Sequence, residues 1–211
     1  MTSEPTHHPP FEWIGGRTCL DFANTVTWRG PERPNERLGS YGDLLEWAEA
    51  SDILDEAAVR RLRRVARAAP AAAESALQQA RALREAIHEV FLARAESRPA
   101  AAGAATTLNR FLGQALGRLR LQVEGDGCSW AFTEEGDELD RMLWPVAWSA
   151  ASLLTSDEIG LVRHCAAELC GWLFVDRSRN RSRRWCNMKA CGNSAKARRH
   201  YARTRRLKKA G

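Results

Sequence analysis

Four cysteines crowd the C-terminal part of this chain: Cys165, Cys170, Cys186 and Cys191, spaced C-x4-C-x15-C-x4-C. The whole chain of 211 residues has only six cysteines, so the clustering is not incidental. Gly171 follows Cys170 and Gly192 follows Cys191. Each pair therefore reads as a tight knuckle, with the glycine supplying a positive φ that a side chain would resist. Two knuckles joined by a short excursion can bring four sulfurs to the corners of a tetrahedron, the arrangement structural Zn²⁺ prefers. The competing readings are four unrelated buried thiols or two disulfides. Residues 1–10 contain no apolar stretch and no run of 18 apolar residues occurs, so neither a secretory signal nor a membrane span is expected. A cytoplasmic chain keeps its thiols reduced, which favours metal over disulfide. His164 and His200 flank the cluster and could each replace one cysteine as a ligand. A closed four-sulfur site leaves no open position for substrate, so it marks a binding module and not an enzyme. Cys19 and Cys128 lie far away in apolar contexts and read as core residues.

Charge supplies the second constraint. Residues 177–211 contain fourteen Lys and Arg and no acid, while residues 1–176 carry a net charge of −8. An acidic body with an intensely basic end has the footprint of a polyanion partner. The basic residues fall in two groups. Arg177 to Arg184 alternates Arg with Ser and Asn between Trp172–Val175 and Trp185, which predicts a short strand, an exposed arginine loop and a return to Cys186. Arg179, Arg181, Arg183 and Arg184 could grip phosphate bidentately or pair with guanine. Asn193 to Lys209 reads as a helix with Asn193 or Ser194 as N-cap. At 100° per residue Lys196, Arg199, Arg203 and Arg206 form one stripe, and Arg198 lies beside it. No wide apolar face accompanies the stripe, so a membrane-surface helix is disfavoured.

These residues resemble a known family. Gly171-Trp172-Leu173-Phe174, the Arg-Ser-Arg-Asn-Arg-Ser run, Arg184-Trp185-Cys186 and Cys191-Gly192-Asn193 followed by Lys196 and Arg199 closely resemble the CGNR zinc finger. Leu20-Asp21-Phe22-Ala23-Asn24-Thr25 is similar to the entry motif of the ABATE domain, which commonly precedes that finger in bacteria. The pairing resembles stress-induced transcription regulators. The resemblance implies zinc on Cys165, Cys170, Cys186 and Cys191 and a DNA-binding role for the basic end.

Residues 11–156 are long enough to bury a core of their own. Residues 1–10 read as a flexible tail, and Thr155–Glu158 as the boundary before a module over 157–211. Helices are predicted from Ser40, over Asp55–Ala69, over Glu74–Ala95 and over Thr107–Leu116, with an Ala-rich loop at Pro99–Gly103. Leu119, Leu121 and Val123 alternate with polar residues ahead of Gly125-Asp126-Gly127, which predicts a β-hairpin through Phe132. Helical spacing returns from Asp137, with Pro145 as a kink or a first-turn residue. Trp13, Trp47, Trp130, Trp144 and Trp148 fall in apolar patterns and are assigned to the core. The expected fold is mainly α with a small antiparallel hairpin, then a treble-type knuckle zinc module ending in a basic helix.

Asp21, Asn24 and Trp28 could line a small-molecule site, with Asp21 as a general base. The simpler role for Asp21 and Asn24 is to bond backbone around a helix start. His88 is isolated and reads as structural. Phosphate loops, nucleophile elbows and His-rich metal motifs are missing from the sequence. The function expected is a zinc-dependent DNA-binding transcription regulator whose N-terminal domain senses an effector or assembles. An RNA-binding or ribosome-associated zinc protein is the alternative, and an N-terminal enzyme tethered by the finger is the third.

Overall fold

The computed structural model describes residues 11–27, 29, 34–133, 136–198 and 201. The flexible tail expected over 1–10 lies outside them. Among the described residues six helices form the body: α1 (Thr18–Ala23), α2 (Tyr41–Ala50), α3 (Glu56–Ala68), α4 (Pro70–Ala95), α5 (Ala102–Arg118) and α6 (Leu143–Leu154). The local signals are physical. The Ser40 hydroxyl accepts from the Asp43 amide while the Asp43 carboxylate accepts from the Ser40 amide, a complete capping box on α2. Asp55 caps α3 through the Ala58 amide. α4 starts at Pro70, four residues ahead of the expected Glu74, because Pro at the first helical position carries no amide to leave unpaired. Pro145 likewise falls in the first turn of α6, the second of the two places expected for it.

α4 is the central element. It packs against α1, α2, α3, α5 and α6, and Leu77, Leu83, Ile87 and Phe91 on its inner face are essentially fully buried. Around them lie Trp47, Phe22, Leu44, Leu45, Phe111 and Leu62. Arg84, buried on the same helix, grips Glu36 with both guanidinium arms, at 2.6 and 2.7 Å. That fork fixes the two-residue ladder of β1 (Val26–Thr27) and β2 (Asn35–Glu36) against the helix.

The hairpin is β3 (Leu119–Glu124) and β4 (Gly127–Phe132), in the register Leu121↔Trp130 and Val123↔Cys128 about a Gly125-Asp126 turn. One expectation fails here. Leu121, Val123 and Trp130 are 56%, 67% and 60% exposed, and Cys128 is exposed too. The hairpin stands off the body, with Trp130 touching it through Trp148 at 6.4 Å between ring centroids. Trp13 is also largely exposed, resting on Trp47 at 6.2 Å. Alternation marks an apolar face without saying what covers it.

After α6 a 3-10 turn at Asp157–Leu161 leads into β5 (Val162–His164), which pairs antiparallel with β6 (Leu173–Val175). Val162, Leu173 and Val175 belong to the body's core, not to a separate one. β5 and β6 both pack on α4, and β6 also packs on α1.

Candidate metal centre and nucleic-acid interface

The first cysteine pair sits on the loop of the β5–β6 hairpin. Cys165 follows β5 directly, and Gly171, at φ +71°, turns the chain from Cys170 into β6. The Cys165 amide donates to the Trp172 carbonyl at 2.8 Å, closing the loop. No side chain fits at Gly171, since a Cβ there would lie 2.8–2.9 Å from Arg29. The second pair is built differently. Asn187 follows Cys186, and its side chain accepts from the Lys189 and Ala190 amides, capping a π-helical turn at Met188–Gly192 that runs on helically through 193–198. The helix therefore starts five residues before the expected Asn193, with Cys191 inside its opening turn. Gly192 has no positive φ. A Cβ there would meet only the Met188 sulfur closely, near the end of a flexible, exposed side chain.

The two devices bring all four sulfurs within 4.8 Å of one another. Cys170–Cys186 and Cys186–Cys191 separations are 3.5 and 3.6 Å. A tetrahedral Zn²⁺ with Zn–S near 2.3 Å places its sulfurs roughly 3.8 Å apart. Cys165 and Cys186 are almost completely buried, which closes the inner side. Four thiols this close cannot all ionise unaided. Hydrogen bonds from Cys170 and Cys186, then from the Cys186 and Ala167 amides, hold the Cys165 thiol well below its ordinary range. The same contact with Cys165, together with burial, pushes Cys170 and Cys186 up. A divalent cation allows four thiolates to coexist, and the donor set is that of a closed structural zinc site. His164 is not one of the four; it sits in β5 opposite Leu173. His200 lies outside the described residues.

The arginine loop is anchored by a residue that sequence reasoning passed over. Asp176 is fully buried, and its carboxylate accepts from the Ser178 amide at 3.0 Å, the Ser178 hydroxyl at 2.6 Å and the Arg183 amide at 2.9 Å. Its own amide donates to Leu161 at 2.8 Å. An acid followed two residues later by Ser is the pattern of an Asx turn, and that was the available signal. Arg179 and Arg181 are exposed at the loop tip, with no hydrogen bond or ion pair from either guanidinium among the described residues. Arg181 holds a left-handed backbone, at φ +47°. Arg183 is turned inward: its guanidinium lies 4.3 Å from the Phe174 ring centroid and donates to the Trp185 and Cys186 carbonyls. It braces the metal loop. Arg184 stacks on Trp185 at 5.5 Å. Lys196 is exposed on the helix, and Arg198 pairs with Glu168 at 3.2 Å. Arg199, Arg203 and Arg206 lie outside the described residues, as does Trp28.

Asp21 and Asn24 are both joined to the finger by hydrogen bonds. Asn24 meets Leu173 of β6 like a strand partner, its Nδ2 donating to the carbonyl and its Oδ1 accepting from the amide, both at 2.9 Å. The Asp21 carboxylate accepts from the Gly15 amide at 2.7 Å, and the Gly15 carbonyl receives the Val175 amide at 2.9 Å. Burial raises the Asp21 pKa to about 6 against the pull of the Gly15 and Ile14 amides. The Trp172 indole donates to Val26 at 3.0 Å, and neutral His88 donates from Nε2 to the Gly171 carbonyl at 2.8 Å. Burial first, then the nearby Arg29 charge, lowers the His88 pKa to about 4, so His88 is a structural donor. Glu158 receives Arg17 from the body and Arg177 from the loop.

Comparison with known families covers both parts of this arrangement. Residues 16–157 match the family model ABATE, described as a putative stress-induced transcription regulator, and residues 162–204 match the CGNR zinc finger. Neither description is that of an enzyme. No curated protein matches the chain. Among the described residues, no helix is long and apolar enough to cross a membrane.

Proposed function

The chain belongs to the ABATE family and carries a CGNR zinc finger, and from that premise we propose that it is a zinc-dependent, DNA-binding transcription regulator. The observation that carries the reading is the placement of Arg179 and Arg181. Both project from a loop that Asp176 and the zinc ligands hold rigid, and neither has a carboxylate partner among the described residues. Together with exposed Lys196 and the +14 charge of residues 177–211, they offer a preorganised grip on phosphate. Arg183 serves as a brace for that loop.

The test is a gel-shift titration of the full zinc-loaded chain against genomic DNA fragments and cellular RNA over a range of salt. If six to eight of the fourteen cations meet phosphate, log K against log salt on duplex DNA slopes by roughly −5 to −7. Replacing Arg179 and Arg181 together with Ala flattens that slope by about 2 and weakens all duplex sequences alike. Preference for RNA over duplex DNA would replace this reading with the RNA-binding one. A salt-independent affinity would end both.

A further inference from the structure

We propose that the protein forms a two-fold dimer through the outer edge of β3. Each β3 pairs antiparallel with β3 of a second copy, in the register that sets Gln122 opposite Gln122. The surface is the hairpin that stands off the body. A two-stranded ribbon in water is marginal, and it becomes stable when further strands extend it around an apolar face. Among the described residues no third strand pairs with it.

The hairpin shows which backbone groups are free. The Thr133 amide donates to the Arg118 carbonyl at 3.1 Å, so even-numbered residues from Arg118 to Glu124 turn their backbone groups toward β4. The amides and carbonyls of Leu121 and Val123 therefore point away from β4, along an edge that carries no proline. Centring on Gln122 lets each Leu121 exchange both backbone bonds with Val123 of the second copy. The same register continues the apolar face. Trp130 and Leu121 of one copy line up with Val123 and Cys128 of the other, all of them exposed in the single chain.

Charge complementarity selects the partner. Arg120 lies opposite Ala131, and Glu124 opposite Gly127, so neither has an opposite charge within its own hairpin. Nη1 of Arg120 donates to the Gly117 and Leu119 carbonyls at 3.1 and 2.8 Å, which lays the guanidinium along the free edge. In the register centred on Gln122, Arg120 of each copy faces Glu124 of the other. β4 carries no charged residue, so its outer edge offers no such match.

The test is light scattering on the full zinc-loaded chain over a range of concentration, and nucleic acid plays no part in it. The expected result is a concentration-dependent shift from one chain to two. Arg120→Glu should raise the dimer dissociation constant at least about tenfold, since both attractive cross-strand pairs become repulsive. Glu124→Arg should do the same, and the double variant Arg120→Glu/Glu124→Arg should restore the dimer. Register is read by oxidation in a Cys128→Ser background. Gln122→Cys should form a disulfide between copies, because facing residues of a non-hydrogen-bonded pair have Cα atoms about 4.5 Å apart. Ser129→Cys, opposite Gln122 in the hairpin, would lie three strand spacings, roughly 14 Å, from its counterpart and should not. A monomer at submillimolar concentration, an unchanged constant in Arg120→Glu, a double variant no better than the single ones, or equal crosslinking from both cysteines overturns the proposal.

Discussion

Asn24 offers the sharpest test of how body and finger are joined. Its side-chain amide satisfies both backbone groups of Leu173, at 2.9 Å each, and Asn24 is 3% exposed. Asn24→Ala leaves a buried N–H and a buried C=O without partners and without room for much water. Each orphaned group costs about 1–3 kcal/mol, so the variant should lose about 4 kcal/mol. For a chain of this size that corresponds to a fall in Tm of roughly 10 °C. Urea unfolding of the zinc-loaded chain, followed by tryptophan fluorescence and circular dichroism, reads the loss directly. Asn24→Asp separates the two bonds. Its carboxyl can still accept from the Leu173 amide, but when ionised it faces the Leu173 carbonyl with no proton to give. That variant should regain stability as pH falls and its carboxyl protonates, whereas Asn24→Ala should show no such recovery. A loss below about 1 kcal/mol for Asn24→Ala, with zinc retained, would refute the idea that this side chain clamps the finger.

Two further predictions concern the metal and the acid side. Cys186→Ser should abolish stoichiometric zinc by elemental analysis and unfold residues beyond Cys165, because metal binding contributes on the order of 10–16 kcal/mol in small zinc modules. Retained zinc in that variant would contradict the four-sulfur site. His88 has a folded pKa near 4 against 6.5 unfolded. The unfolded chain therefore binds the extra proton first, and His88-dependent stability, complete above pH 6.5, is lost as pH falls toward 4. The stability difference between wild type and His88→Gln should shrink by about 2 kcal/mol from pH 6.5 to 5. A pH-invariant difference would refute burial as the cause.

Features encoded within a few residues could be read from the sequence, and those made across the chain could not. The Ser40 and Asp55 caps, the hairpin turn and the cysteine spacing all act over short distances, and each was legible. Alternation in β3 gave the hairpin, but Trp130 and Cys128, assigned to the core, are exposed, because period 2 fixes a face without naming its neighbour. Asn24 was visible as an unusual polar residue, yet its partner Leu173 is 149 positions away. Gly192 was read as a torsional need, yet it holds no positive φ. Arg183 looked like its neighbours in the arginine run; its stack on Phe174 and its bonds to the Trp185 and Cys186 carbonyls distinguish it.

The seam between the two matched families is not a line along which the molecule can be cut. Val162, Leu173 and Val175 are at most 5% exposed because the body covers them, Gly15 and Asn24 complete the backbone pairing of the finger from the other side, and the Val26 carbonyl accepts from the Trp172 indole. A finger excised near residue 157 and fused to a foreign carrier would take with it a raw apolar face and several unpaired amides. Portability would require importing residues 14–27 as a lining or replacing those three aliphatics with polar residues. Modular in its sequence, this finger is not portable in three dimensions.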